Sequence, residues 1–191
     1  MESQIKIEFI VESPKNRLNQ GDILKDLSVI VTTDYDFEKS KALFVEVNLK
    51  YAIVINQECD LEHDFNAHNE QSANQDKYLP NVLILPAYLE PEFKSGKHRG
   101  ESIVAETYNS ERFKIIKQNN NARFHFINKF EDLQIPDLII DFKHLYTINR
   151  DFIYNNINRN YLASICEIYR EGISHRYSHY LSRIGLPDRE T

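Results

Sequence analysis

Residues 50–64 read Lys50-Tyr51-Ala52-Ile53-Val54-Ile55-Asn56-Gln57-Glu58-Cys59-Asp60-Leu61-Glu62-His63-Asp64. The first part is apolar and mostly β-branched, the composition of a strand covered on both faces. The apolar run stops at Asn56. Gln57, Cys59, Asp60, Glu62, His63 and Asp64 then crowd the end of the strand, the place where a rigid scaffold presents reactive side chains.

On the N-terminal side, Leu43, Val45 and Val47 alternate with Phe44 and Glu46. That spacing predicts a strand paired with 51–56 through a turn at Asn48-Leu49-Lys50. Gln20-Gly21-Asp22 is a turn signal, Val29 to Thr32 reads as a strand, and Ile5, Ile7, Phe9 and Val11 predict a half-buried first strand. On the C-terminal side, residues 62–79 are polar and read as a long loop. Val82 to Leu85 form another apolar strand that ends at Pro86. Residues 89–100 read as a helical turn followed by a basic loop.

Residues 113–127 predict a β-hairpin turning on Asn119-Asn120-Asn121. Leu138 to Phe142 predict a further strand, and Asp151 is placed to cap a short helical turn. Tyr161, Ile165, Tyr169, Ile173, Tyr177, Tyr180 and Ile184 recur at spacings of three and four, predicting a helix over 160–184 that Gly185 and Pro187 stop. The fold class is therefore mainly β, a β-rich α+β chain: a small curled sheet or SH3-like barrel with a C-terminal α-helix. Residues 1–150 form the barrel-like body and 151–191 a helical segment packed on it, in one structural domain.

Composition narrows the function classes. The 191 residues are 41% hydrophobic and 12% aromatic, enough for a real core. Five glycines and no G-x-G-x-x-G or Walker-type lysine argue against a phosphate-cradling loop. Two distant cysteines make no disulfide framework, and neither a signal peptide nor a membrane-spanning run is read, so a cytoplasmic location is expected. The net charge is −6, which does not favour nucleic acid as a partner. It is split between −9 over residues 1–92 and +3 over the rest.

Gly21-Asp22-Ile23, Ala52-Ile53-Val54-Ile55-Asn56 and Val82-Leu83-Ile84-Leu85-Pro86-Ala87 resemble the early strands of PemK/MazF-like SH3-type barrels. The resemblance covers residues 20–90. It implies an SH3-type barrel and, since members of that family are bacterial toxins and many are sequence-specific endoribonucleases, a nuclease activity. The family's Arg-Pro pair is replaced here by Lys50-Tyr51, and its Thr or Ser after the third-strand Pro by Ala87-Tyr88. No catalytic residue is carried over.

Three constellations carry chemistry. Cys59, Asp60 and His63 form the first. Cys59 and His63 are suitable zinc ligands, and Cys59 is alternatively a nucleophile or a small buried packing residue. Arg123 and His125 share one strand face in the expected hairpin, where they suit a phosphate and acid–base work, or form a solvated edge. Asp141, inside an apolar run, needs a buried partner, for which Arg123 is suitable; Lys143 shares its face and His144 lies opposite. His175 and His179 at i and i+4 have a metal-binding spacing with no acidic residue between them, while Arg176, His179 and Arg183 make a basic stripe that reads better as a solvated or partner-binding face. The leading expectation is a nuclease-like or other hydrolase built on Cys59, Asp60, His63, Arg123, His125 and Asp141. The alternative is a non-catalytic binding or regulatory module, with a protein partner or a second copy, and with a structural metal or none.

Overall fold

The computed structural model describes residues 9–71, 73–100 and 103–183. Eight strands join in a single antiparallel sheet: β1 Phe9–Ile10, β2 Asp22–Asp36, β3 Lys41–Val54, β4 Asn81–Leu89, β5 Phe124–Ile127, β6 Leu138–Asp141, β7 Tyr146–Asn149 and β8 Tyr161–Ile165. Their order is β1-β8-β2-β3-β4-β6-β5, with β7 also pairing β4. The sheet curls until its ends approach, the Phe9 and Phe130 rings lying 5.0 Å apart. Helix α6, Glu167–Leu181, packs Ile173, Tyr177 and Tyr180 into the curl against Ile127, Leu85, Ile140 and Phe142. This is the curled β-rich sheet with a C-terminal helix that the apolar periodicities predict.

Several elements differ from expectation. Residues 43–47 and 51–56 do not form a hairpin with each other. Residues 43–47 and 51–54 belong to β3, which pairs along its length with β2 and ends before Ile55. The real turn is Phe37–Ser40, where Asp36 Oδ1 accepts the Glu38 and Lys39 amides at 3.1 Å each and Ser40 takes a positive φ of 49°. The expected loop over 62–79 begins instead with helix α1, Glu58–Asn69, and the expected helical turn after Leu89 is α2, Glu90–Lys94. The expected hairpin over 113–127 is helix α3, Ser110–Lys117, followed by β5. Asn119 does adopt a positive φ, 57°, but it does so just past the end of α3.

The helix over 160–184 starts later. Tyr161 and Ile165 lie in β8, inside the sheet, so residues 151–165 divide among α4 (Arg150–Asn155), α5 (Ile157–Asn160) and β8. Asn149, not Asp151, caps α4, its side chain accepting the Asp151 and Phe152 amides. Residues 1–8 of the expected first strand, and Ile184, Gly185 and Pro187, lie outside the described residues. Among the described residues no helix is long and apolar enough to cross a membrane.

Two backbone features set the geometry of the sheet. Gly21, at φ +81°, donates its amide to Val54 O at 2.9 Å and accepts Ile165 N at 3.2 Å. A β-carbon there would stand 2.8 Å from Arg170 Cβ, so β2, β3, β8 and α6 converge on a site only glycine fits. Along β4, residues 87–89 pair with β6 and residues 81–84 with β7. The partner strand changes at Leu85-Pro86, beside a proline with no amide to donate. The chain between β6 and β7, residues 142–145, turns at that break and carries His144.

Candidate functional site

Strand β6 ends on Asp141, whose side chain is fully buried. Arg123 grips it with two bonds, Nε to Oδ1 at 2.8 Å and Nη2 to Oδ2 at 2.6 Å. The Lys143 amide donates to Oδ1 at 3.0 Å, an Asx turn that folds the chain back. That turn breaks the strand alternation and brings His144 Nδ1 to 3.0 Å from Asp141 Oδ2. Lys143 and His144 therefore do not take the two faces that a continued strand assigns them. Burial opposes charge on Asp141, but the bonds from His144 and Arg123 outweigh it and hold the carboxyl down at about 2. The Arg123 guanidinium is correspondingly raised by its bonds to Asp141.

The Tyr88 hydroxyl lies 3.1 Å from the same His144 Nδ1. Burial, and after it Tyr146, push the Tyr88 phenol well above its ordinary range, so it is a neutral hydroxyl. With Asp141 ionised, a neutral His144 that donates from Nδ1 to the carboxylate has its lone pair on Nε2, whereas a Tyr88 hydroxyl donating to Nδ1 requires the other tautomer. Tyr88 also lines a cleft of about 650 Å³ between the middle of β3 (Val47 to Tyr51), the end of β4 and the loop 97–100. His98 is wedged in that loop, its ring 4.7 Å from Tyr88 and 4.8 Å from Phe93. Burial lowers its pKa. Lys97 and Arg99 flank it and are exposed.

The remaining expected site residues are placed elsewhere. Cys59 and Asp60 lie on the first turn of α1. Cys59 is exposed rather than a buried packing residue, and its Sγ reaches only Gln57 Oε1 at 3.7 Å and Asp60 Oδ1 at 3.8 Å. His63 lines a separate cavity of about 240 Å³ with Asn66, Glu70 and Lys77. Asp64 is buried and holds α1 in place by accepting Leu79 N and Arg150 Nε, both at 2.9 Å. Among the described residues no group of three or more His, Cys, Asp or Glu is placed to hold a metal ion, so Cys59 and His63 gain no third ligand of those kinds.

Arg123 and His125 do not act from one face. The Arg123 guanidinium lies over the Phe124 ring at 4.7 Å and turns to Asp141, because β5 begins only at Phe124. His125 packs 6.3 Å from the Phe142 ring with its Nδ1 buried and unpartnered. Burial, and after it the Arg176 charge, pull His125 down to about 3, which keeps it neutral. Arg176 itself donates to the carbonyls of Asn119, Asn121 at 2.7 Å and Phe124 at 2.9 Å, so it ties α6 to β5 instead of joining a solvated stripe.

Arg123 and Asp141 pair as the sequence suggests, whereas His144, expected on the opposite strand face, meets Asp141, and Tyr88 has no expected role. The signal for His144 was Asp-x-x-His directly after an apolar run, because an Asp ending a strand readily folds its own turn. Tyr88 carried no signal apart from its place after Pro86. No family model, no curated protein and no solved structure matches the chain.

Proposed function

We propose that the protein is a hydrolase of anionic esters, nuclease-like in its chemistry, with His144 as general base and Asp141 as the group that orients it. The observation that carries this reading is the Asp141–His144 contact of 3.0 Å, joined by Tyr88 to a cleft with a basic loop. A carboxylate on Nδ1 fixes the tautomer and stabilises the imidazolium that forms when Nε2 accepts a proton. Water gives that proton as its oxygen bonds to the electrophilic centre, and the ester oxygen departs and is protonated. Lys97 and Arg99 supply positive charge where negative charge develops. Arg123 keeps the carboxylate ionised and fixed. Cys59, Asp60, His63 and His125 take no part.

Turnover of bis(p-nitrophenyl) phosphate and p-nitrophenyl phosphate, wild type beside His144→Gln and Cys59→Ser, tests this. The expected loss in kcat/KM for His144→Gln is about 10²-fold or more, with Cys59→Ser unchanged. Equal rates in wild type and His144→Gln overturn the reading.

A second reading, a binding module, is favoured by the outer part of the β2–β3 hairpin. Ile30, Phe37, Leu43, Phe44 and Val45 are exposed there to 60, 85, 48, 64 and 47%. An apolar arm of this kind suits a protein partner or a second copy. Sedimentation of wild type and Phe44→Asp tests the second-copy form: association that the variant weakens supports it, and a monomer at every concentration removes it.

A further inference from the structure

We infer that the cleft beside Tyr88 takes a nucleotide, its phosphate held by Lys97 and Arg99 and its base against the tyrosines of the walls. This deepens the hydrolase reading and rests on it for the placing of the reactive end, but it concerns binding and is tested as binding.

Four ionic side chains line the cleft. Lys50 Nζ is bonded to Glu92 Oε1 at 2.5 Å, so these two neutralise each other. Lys97 and Arg99 have no carboxylate partner among the described residues and leave the mouth of the cleft positive. They are held there by local structure. Gly96, at φ +72°, makes a turn where a β-carbon would stand 2.7 Å from Ala105 O, and the Lys97 amide donates to Glu92 O at 2.9 Å. The His98 ring, packed between Tyr88 and Phe93, then pins the loop from within. Two exposed cations on adjacent sides of a half-buried ring suit a phosphate better than a carboxylate, because a phosphate offers three acceptor oxygens.

The shape of the cleft suits a flat ring. Tyr51, Tyr88 and Tyr146 all line it, and its volume of about 650 Å³ falls in the range of small-molecule sites, about 300–1,000 Å³. Base stacking on aromatic side chains is tolerant of base identity and needs only a face. One wall is the 47–50 segment of β3, whose edge has no ladder partner before Tyr51 among the described residues. A strand edge supplies backbone donors and acceptors of the kind that base edges use.

Free nucleotide and the end of a single-stranded RNA share this chemistry. Isothermal titration of wild type with adenosine 5′-monophosphate, adenosine, inorganic phosphate and a 5′-phosphorylated hexanucleotide separates them. The monophosphate is expected to bind at least tenfold more tightly than adenosine or phosphate alone. Lys97→Ala/Arg99→Ala, both at exposed positions, is expected to weaken it at least tenfold, and Cys59→Ser, on the first turn of α1 outside the cleft, is expected to leave it within twofold. A hexanucleotide at least tenfold tighter than the monophosphate assigns the polymer, and equal affinity assigns the free nucleotide; either supports the inference. No binding of either, or binding that the double variant leaves unchanged, overturns it. If esters are cleaved without nucleotide binding, the inference falls and the hydrolase reading stands. If nucleotides bind and no ester is cleaved, the hydrolase reading falls alone.

Discussion

Asp141 shows how one buried carboxylate organises its surroundings. It accepts four hydrogen bonds, from Arg123 (two), Lys143 and His144. Removing its charge leaves Arg123 without its counter-ion and His144 without its anionic partner, while an amide oxygen in the same place still closes the turn at Lys143. Asp141→Asn is expected to cost about 3–5 kcal/mol, read as a shift in the urea midpoint; a change under about 1 kcal/mol, the size of an exposed ion pair, contradicts the role. Gly21 is the other residue with no freedom. Gly21→Ala meets both the positive φ and the 2.8 Å approach to Arg170 Cβ, and a loss of about 2 kcal/mol or more is expected in the same measurement. The Arg123–Asp141 pair was legible because a charge inside an apolar run demands a partner. His144 was not, because strand alternation was carried one residue too far and the Asx turn at Asp141 reverses it.

Among the elements, β2 and β3 were the hardest to read. Leu43, Phe44 and Val45 are consecutive and all exposed, so burial imposes no alternation on the outer hairpin and the pattern hides the strand's length. The hairpin bends at Asp26, which has φ 50°, and buried Asn160 staples the bend by donating Nδ2 to Lys25 O and Asp26 O, each at 2.9 Å. Asn160→Ala leaves two carbonyls without this donor, and a destabilisation of about 1–3 kcal/mol is expected from the loss; chemical denaturation reads it. Helix α1 escaped notice for a different reason. It buries only Leu61, Asp64 and Ala67, and its central anchor is a carboxylate bonded to Arg150 rather than an apolar side chain. Helix α3 buries Phe113 and Ile116, a spacing of three that a short apolar run does not distinguish from a strand. The apolar strands at 52–55, 82–85 and 138–141 were legible because they are covered by the core on both sides of the sheet.

For the whole molecule, three buried groups set how stability varies with pH. His125, pulled down to about 3, stays neutral in the fold while the unfolded chain takes up its proton near 6.5. Its contribution is complete above 6.5 and is lost as pH falls towards 3. Asp141, at about 2 against 3.8, contributes above 3.8 and loses its contribution as pH falls through 2. Asp22 has the opposite sign. Burial, partly offset by Lys15, pushes it up to about 6, so its contribution is present below 3.8 and is lost as pH rises from 3.8 to 6. Between pH 6 and 4, His125 and Asp22 therefore oppose each other, and below 4 stability falls steeply. His125→Leu is expected to flatten the loss between 6.5 and 4, measured by urea midpoints across that range. A profile identical to wild type contradicts the assignment. At this scale the curled sheet and its helix were legible from periodicity. The site was only half legible, because its members come from β4, the turn before β5, and the turn after β6, which no local pattern links.

The proposed function turns on Asp141 holding His144 as a base with a bare Nε2. The direct measurement is the ring tautomer of His144 from nitrogen-15 chemical shifts and long-range proton–nitrogen correlations at neutral pH, assigned with His144→Gln. A proton on Nδ1 and none on Nε2 is the predicted result. A proton on Nε2, with the Tyr88 hydroxyl donating to Nδ1, would contradict it.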